Sequence, residues 1–175
     1  MDLRSVVSDA QSGLEKILNK IPGYGGYREK EMRRDADKLL RDHIYGVLTE
    51  QRRRIEDIQS QLGVEFIEFV DKIGTARRRL QTLADTVRTA AYGYAGLFDA
   101  VRIKEEQLDA LYEFDNGLLE QADQIVAAVD SLQSAVDNGE APGGAIRELT
   151  NVITQLQELY NKRKDVITGM ASPEA

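Results

Sequence analysis

The residues best placed to do chemistry lie in one short stretch, PGYGGYREKEMRR at positions 22–34, where a proline and three glycines precede Arg28, Lys30, Arg33 and Arg34. Glycine backbone can approach a phosphate closely, and a helix N-terminus offers free amides and partial positive charge. Cations in its first turns would complete an anion site. A Walker loop, however, needs Lys followed by Ser or Thr after its last glycine, and here Tyr27 and Arg28 follow Gly26. A dinucleotide fingerprint needs a preceding strand, whereas Leu14, Ile17, Leu18 and Ile21 have helical spacing. Pro22, Gly23, Gly25 and Gly26 therefore read as a hinge between two helices. Arg28, Lys30, Arg33 and Arg34 remain as a contact set for an anion, a lipid headgroup or a partner. They oppose the dipole of the helix they start, which Glu29 and Glu31 only partly offset, and a locally unfavourable choice points to a use.

The remaining chemistry is thin. His43 is the single histidine and there is no cysteine, which removes two-histidine zinc motifs, thiolate sites and disulfides together. No serine sits in a Gly-x-Ser-x-Gly elbow. The 30 carboxylates are what solvated helices carry, and no pair is marked by separated environments of the kind acid–base catalysis needs. Asp115 and Lys104, which interrupt an apolar series, are the places to look for buried charge; as polar seam residues they are expected to set register. The expectation is a non-enzyme with no cofactor and no metal.

Charge placement limits the partners. Residues 27–54 carry nine cations against six carboxylates, and residues 95–175 carry six against fifteen, within a net charge of −7. Binding nucleic acid without regard to sequence requires many cations on phosphates, so no nucleic-acid partner is expected. The start of the chain lacks a basic segment followed by an apolar block and a cleavage site, and no apolar run is long enough to span a bilayer. The reading is cytoplasmic.

These residues must be positioned by helices. From Ile44 the apolar series runs Leu48, Gln51, Ile55, Ile58 and Leu62, then after one extra step of four Phe66, Phe69, Ile73, Ala76, Leu80, Leu83, Val87 and Ala90. Alternating steps of three and four mark a narrow seam along a helix, and the extra step is a stutter at Gly63. Leu97, Val101, Leu108, Leu111, Leu118, Ala122, Ile125, Val129, Leu132 and Val136 continue the pattern, and Ile146, Leu149, Ile153, Leu156, Tyr160, Ile167 and Met170 close it. Strand signals are absent.

The predicted fold is all-α, an elongated antiparallel helical hairpin or coiled-coil bundle of four to five helices in one domain. An N-terminal amphipathic helix covers 1–21, the joint 22–26, a long hairpin 27–137 with its reversal near 92–98, a turn 138–144, and a C-terminal helix 145–172 that packs on the hairpin. A single helix from Tyr27 to Tyr92 is preferred, because an isolated glycine such as Gly63 is a weak reversal signal. The alternative breaks it at Gly63 and makes a shorter four-helix bundle. In the hairpin, facing residue numbers sum to about 188; Arg77, Arg78 and Arg79 would face Asp109 and Glu113, and Arg52, Arg53 and Arg54 would face Asp130 and Asp137. The tripeptide at 115–117, Asp-Asn-Gly, reads as a kink or a short break.

IPGYGGYREKEMRRDADKLLRDH, with YGYAGLFDA and LYEFD downstream, resembles a family of uncharacterised bacterial helical proteins that carry an Ile-Pro-Gly-Tyr-x-Gly-Tyr segment followed by Lys-Glu and an Arg pair. The resemblance spans Ile21 to about Leu132; it implies a bacterial cytoplasmic origin and carries over no activity or cofactor. In layout alone, the chain is similar to bacterial membrane-stress proteins related to the ESCRT-III polymers, which implies a peripheral membrane-remodelling role. The N-terminal helix has balanced charge and no large aromatic anchor. The functional expectation is a non-catalytic helical scaffold or protein–protein interaction protein, with a protein partner or self-association. The alternative is a peripheral protein at an anionic membrane surface.

Overall fold

The computed structural model describes residues 13–90 and 104–169. Helix α1 includes residues 13–20. A 3-10 turn at Lys30–Met32 leads into α2 (Arg33–Ser60), a second one at Val64–Phe69 leads into α3 (Val70–Thr89), and α4 (Glu105–Asp137) and α5 (Gly143–Gly169) complete the bundle. All regular structure among the described residues is helical, as the seam spacing requires.

The predicted continuous helix from Tyr27 to Tyr92 is broken, and the shorter bundle is the one that forms. Gly63 adopts an extended conformation (φ −69°, ψ 163°), and Phe66 leaves helical geometry (φ −114°, ψ 17°). The stutter therefore marks a reversal. Gln59 ties it by donating from Nε2 to the carbonyl of Val70 at 3.0 Å, and Arg77 reaches back to Glu56 at 3.5 Å. Folding α3 back onto α2 buries both halves of one seam against each other. Ile44, Leu48, Ile55 and Ile58 then share an interior with Ile73, Leu80, Leu83 and Val87, none of them exposed.

This changes which helices are antiparallel. The antiparallel pairs are α2 with α3 and α4 with α5, whereas α2 runs parallel to α4: Tyr27 meets Tyr112, Arg54 meets Asp130 and Gln61 meets Gln133. Helices α2 and α5 each lie beside α3 and α4, so α2 is diagonal to α5, and α3 to α4. Arg77, Arg78 and Arg79 consequently do not face Asp109 and Glu113; Arg77 pairs with Glu56 and Arg78 with the Thr75 hydroxyl. Of the other triplet, Arg54 does reach Asp130, at 2.6 Å, while Arg52 and Arg53 pair within α2 with Glu56 and Glu50. The reversal expected near 92–98 lies outside the described residues.

A turn forms where the composition suggests, but it spans 138–142, two residues shorter than expected, because α5 begins at Gly143. Gly139 takes the left-handed conformation (φ +68°) just past the end of α4, so that its N–H reaches the carbonyl of Val136 and the N–H of Glu140 reaches that of Ala135. Helix α4 runs through residues 115–117 without the kink that Asp-Asn-Gly suggested. Lys104 stands at its start, exposed, with its backbone N–H bonded to the Gln107 side chain.

Candidate functional site

A layer of polar side chains interrupts the apolar interior near the N-terminal ends of α2 and α4. Arg163 of α5 is completely buried, as is Asp115 of α4, and Asp37 of α2 is nearly so. The Arg163 guanidinium donates to both carboxylate oxygens of Asp115, at 2.9 and 3.1 Å, and to Asp37 at 2.5 Å. Asp37 also accepts from Arg41 Nε at 2.8 Å, and Arg41 in turn donates to the carbonyl of Arg88 at 3.3 Å. Two guanidinium groups thus face two carboxylates. A buried charge set that is neutral, with its hydrogen-bonding groups paired, avoids the heavy penalty of an isolated ion.

The joint supplies the other half of the layer. Tyr27 is fully buried, its hydroxyl donating to Asp115 at 2.6 Å and accepting from Arg163 at 3.0 Å. Its backbone N–H donates to the Tyr112 hydroxyl at 2.7 Å, and its carbonyl accepts from Arg33 Nε at 2.7 Å. The Tyr27 and Tyr112 rings stack with centroids 5.6 Å apart, and Tyr24 meets Tyr27 edge-on at 5.9 Å. Gly26 makes this possible. Its φ is +77°, and a Cβ there would lie 2.6 Å from the Tyr112 hydroxyl.

The expected site residues fall into two groups. Arg33 is buried and turned inward to Tyr27, so it does not serve the contact set proposed for it. Arg28, Lys30 and Arg34 are exposed. Of the hinge residues, Pro22, Gly23 and Gly25 are exposed and Gly26 is buried. The segment they belong to is anchored at both ends by Ile21 and Tyr27 in the core. A swing of α1 about this joint would have to withdraw Tyr27 from four hydrogen bonds.

Protonation in the layer is fixed by its surroundings. Burial holds the Tyr27 phenol well above its ordinary range, and Asp115 pushes it the same way. Tyr24 and Tyr112 are raised first by burial as well. Burial by itself would lower Arg163, but Asp115, Tyr27 and Asp37 outweigh it and hold the guanidinium above its ordinary value. The three phenols and the Arg163 guanidinium therefore keep their protons near neutrality. Among the described residues, no set of three His, Cys, Asp or Glu side chains converges to hold a metal. Burial lowers His43, opposed by the nearby Asp123 carboxylate.

Part of this layer has a signature in the spacing. Two contributing seams skip a place, Leu111 to Leu118 around Asp115 and Tyr160 to Ile167 around Arg163, whereas Asp37 lies between the buried Ala36 and Leu40 with no gap to mark it. A seven-residue gap in each of two seams marks two polar groups at one level of the bundle.

Among the described residues four large apolar side chains are exposed, Leu18, Met32, Val64 and Ile67, and the last two are the most exposed. Val64 and Ile67, at the α2–α3 turn, are 84% and 69% exposed. The acidic side chains Glu65, Glu68 and Asp71, all exposed, surround them in sequence.

The fold and this layer define an all-α helical bundle with an internal ion network. No family model, curated protein or solved structure matches the chain.

Proposed function

We propose that the protein is a non-catalytic helical scaffold or interaction protein that associates through the α2–α3 turn. The observation that carries this reading is the pair Val64 and Ile67, which stand a turn apart on the 3-10 segment with most of their surface in water. Large apolar side chains placed together at an exposed reversal lose free energy to water that a partner surface recovers. The buried network supports the same reading, because side chains bonded to one another across three helices stiffen a platform for a partner.

Light scattering after gel filtration tests it. The expected result is a species heavier than the 19.6 kDa chain, reduced towards the monomer by Val64→Ser with Ile67→Ser. A strictly monomeric, compact wild-type protein would end the self-association part. A pull-down from cells in which those two substitutions change nothing would end the docking role of the turn.

The membrane reading rests on the exposed cations Arg28, Lys30 and Arg34. It receives less support from α1, whose Ile17 is buried in the core while Leu18 is exposed, and whose Lys16 and Lys20 pair with Glu120 and Asp123 on α4. Among the described residues no helix is long and apolar enough to cross a membrane. Sedimentation with anionic liposomes separates the two readings: binding that depends on those three cations would favour the membrane.

A further inference from the structure

The α2–α3 turn has a charge as well as an apolar face. Val64–Phe69 is a 3-10 segment, whose period of three stacks residue i on residue i+3, so its side chains form three columns. Val64 and Ile67 make one column, largely in water, and Glu65 and Glu68, also exposed, make the next. Phe66 and Phe69, half-buried with ring centroids 6.4 Å apart, make the third. The Glu65 carboxylate folds back against Gly63, beside Val64. An acidic column thus borders the apolar one.

The α4–α5 turn adds charge of the same sign at the same end. Gln133 donates to Gln61 at 3.2 Å, and a Cβ at Gly143 would lie 3.1 Å from the Phe69 ring, so the two turns touch. Residues 61–72 and 137–142 together hold Glu65, Glu68, Asp71, Asp137 and Glu140, all exposed, against one cation, Lys72, whose Nζ stands 5.3 Å from the centre of the Phe69 ring. None of these carboxylates is neutralised by an ion pair among the described residues. More than half of the net charge of −7 therefore sits at this end, around the two most exposed apolar side chains. The other exposed apolar residues are set differently: Leu18 has Lys16 and Lys20 two places away on either side, and Met32 has Lys30 and Arg34.

Apolar side chains rimmed by carboxylates select a partner that brings apolar side chains and cations together. Nucleic acid and an anionic bilayer carry the wrong sign. A second copy docking by this same face would bring its own five carboxylates against these, so that self-association through the turn is opposed at low salt and eased as salt screens the repulsion.

We propose that the acidic end of the bundle receives a basic segment of a different protein, one that carries leucine-like side chains between lysines or arginines. This rests on the reading of the α2–α3 turn as the contact surface and names the chemistry of its partner. Val64 and Ile67 supply the apolar contact. Glu65, Glu68 and Asp71, with Asp137 and Glu140 of the neighbouring turn, attract and orient the cations. A patch built on two side chains makes a transient contact rather than an obligate one.

The test uses the full chain and two dye-labelled peptides with the same leucine core, one flanked by lysine and one by glutamate, read by fluorescence anisotropy. The lysine peptide is expected to bind at least about tenfold more tightly, with its affinity falling as salt rises. Glu65→Lys with Glu68→Lys should reverse the preference. Glu158→Lys with Asp165→Lys makes the same change of charge at exposed positions about 22 Å or more along α5 from Gly143 and should preserve it. Val64→Ser with Ile67→Ser should weaken the lysine peptide by about fivefold or more. An unchanged circular dichroism melt confirms that each variant is folded. Equal binding of the two peptides, no binding of the lysine peptide, or affinity insensitive to salt would overturn the proposal. So would a lysine preference that survives Glu65→Lys with Glu68→Lys, or one lost equally in the α5 variant, which would mean attraction to the whole acidic chain. Weakening by the serine variant without a charge preference would keep the turn as a contact surface and remove only the basic partner; a charge preference untouched by the serine variant would remove both. In light scattering, a wild-type mass that falls with salt in step with the peptide affinity would make a cationic face of a second copy the occupant, and would overturn the hetero-partner.

Discussion

Arg163 of α5 grips Asp115 of α4 through two side-by-side hydrogen bonds of 2.9 and 3.1 Å, and neither side chain is exposed to solvent. The same guanidinium reaches Asp37 across the bundle diagonal, so one side chain fixes three helices at one level. Removing it strands two carboxylates in the interior. Arg163→Met is therefore expected to lose about 3–5 kcal/mol in urea unfolding, the range for breaking a buried ion pair from one side. Lys162→Met, an exposed neighbour, should change stability by less than about 0.5 kcal/mol. A small effect of Arg163→Met would mean that water reaches the layer.

High pH attacks the same layer from its tyrosines. Tyr24, Tyr27 and Tyr112 all have phenol pKa values raised above the ordinary 10, chiefly by burial. Above pH 10 the unfolded chain loses these protons while the folded chain keeps them, so the unfolded state binds fewer protons and stability falls as pH rises. Below pH 10 both states hold the protons and this contribution is fully present. The urea midpoint is expected to drop between about pH 10 and 11.5, and phenolate absorbance should appear in two stages, the later one together with unfolding. Tyr27→Phe should make the drop shallower. A midpoint indifferent to pH in that window would contradict the burial of these rings.

Gly26 tests whether the joint is a hinge or a plug. A side chain there is opposed both by the positive φ and by the Tyr112 hydroxyl 2.6 Å from the Cβ position. Gly26→Ala should cost about 1–3 kcal/mol in denaturant unfolding. Gly46→Ala, at an exposed position in the middle of α2 with open space around it, should stabilise by about 0.5–1 kcal/mol. If Gly26→Ala were neutral, Tyr27 would not be held as the structure has it, and a swinging α1 would again be the better account.

The seams were legible because burial has a period: Leu48, Ile55, Leu80, Leu83, Leu132 and Leu149 are all buried where spacing placed them. Periodicity says which face of a helix is covered but not which neighbour covers it, and that is why α2 was paired antiparallel with α4 rather than with α3. Arg54 and Asp130 meet in either arrangement, so even a correct contact left the direction undetermined. In the candidate site, Asp115 stands out as a polar break in a seam, whereas Arg163 reads as one more charge on a solvated helix and Asp37 lies beside the seam residues Ala36 and Leu40 with no break to mark it. Tyr27 is a product of tertiary structure: the glycines before it signal a bend but not that the bend sets a tyrosine hydroxyl against the Asp115–Arg163 pair.

The reversal at Gly63 can be measured directly. Arg53 and Arg78 are exposed and lie at facing levels of α2 and α3, beside the Glu56–Arg77 pair. Neighbouring helix axes are about 8–10 Å apart, so spin labels on Arg53→Cys and Arg78→Cys should lie within roughly 20 Å of each other. In one continuous helix the same positions would be about 37 Å apart at the helical rise. The chain has no cysteine of its own, so the two labels are the only ones. Gly63→Ala should leave the short distance unchanged: the φ of −69° suits any residue, and the atoms nearest its Cβ belong to the exposed Glu65 side chain. The bend is then held by the packing of α3 on α2 and by the Gln59 bond to Val70, and a lengthening in Gly63→Ala would show instead that the glycine itself makes the break.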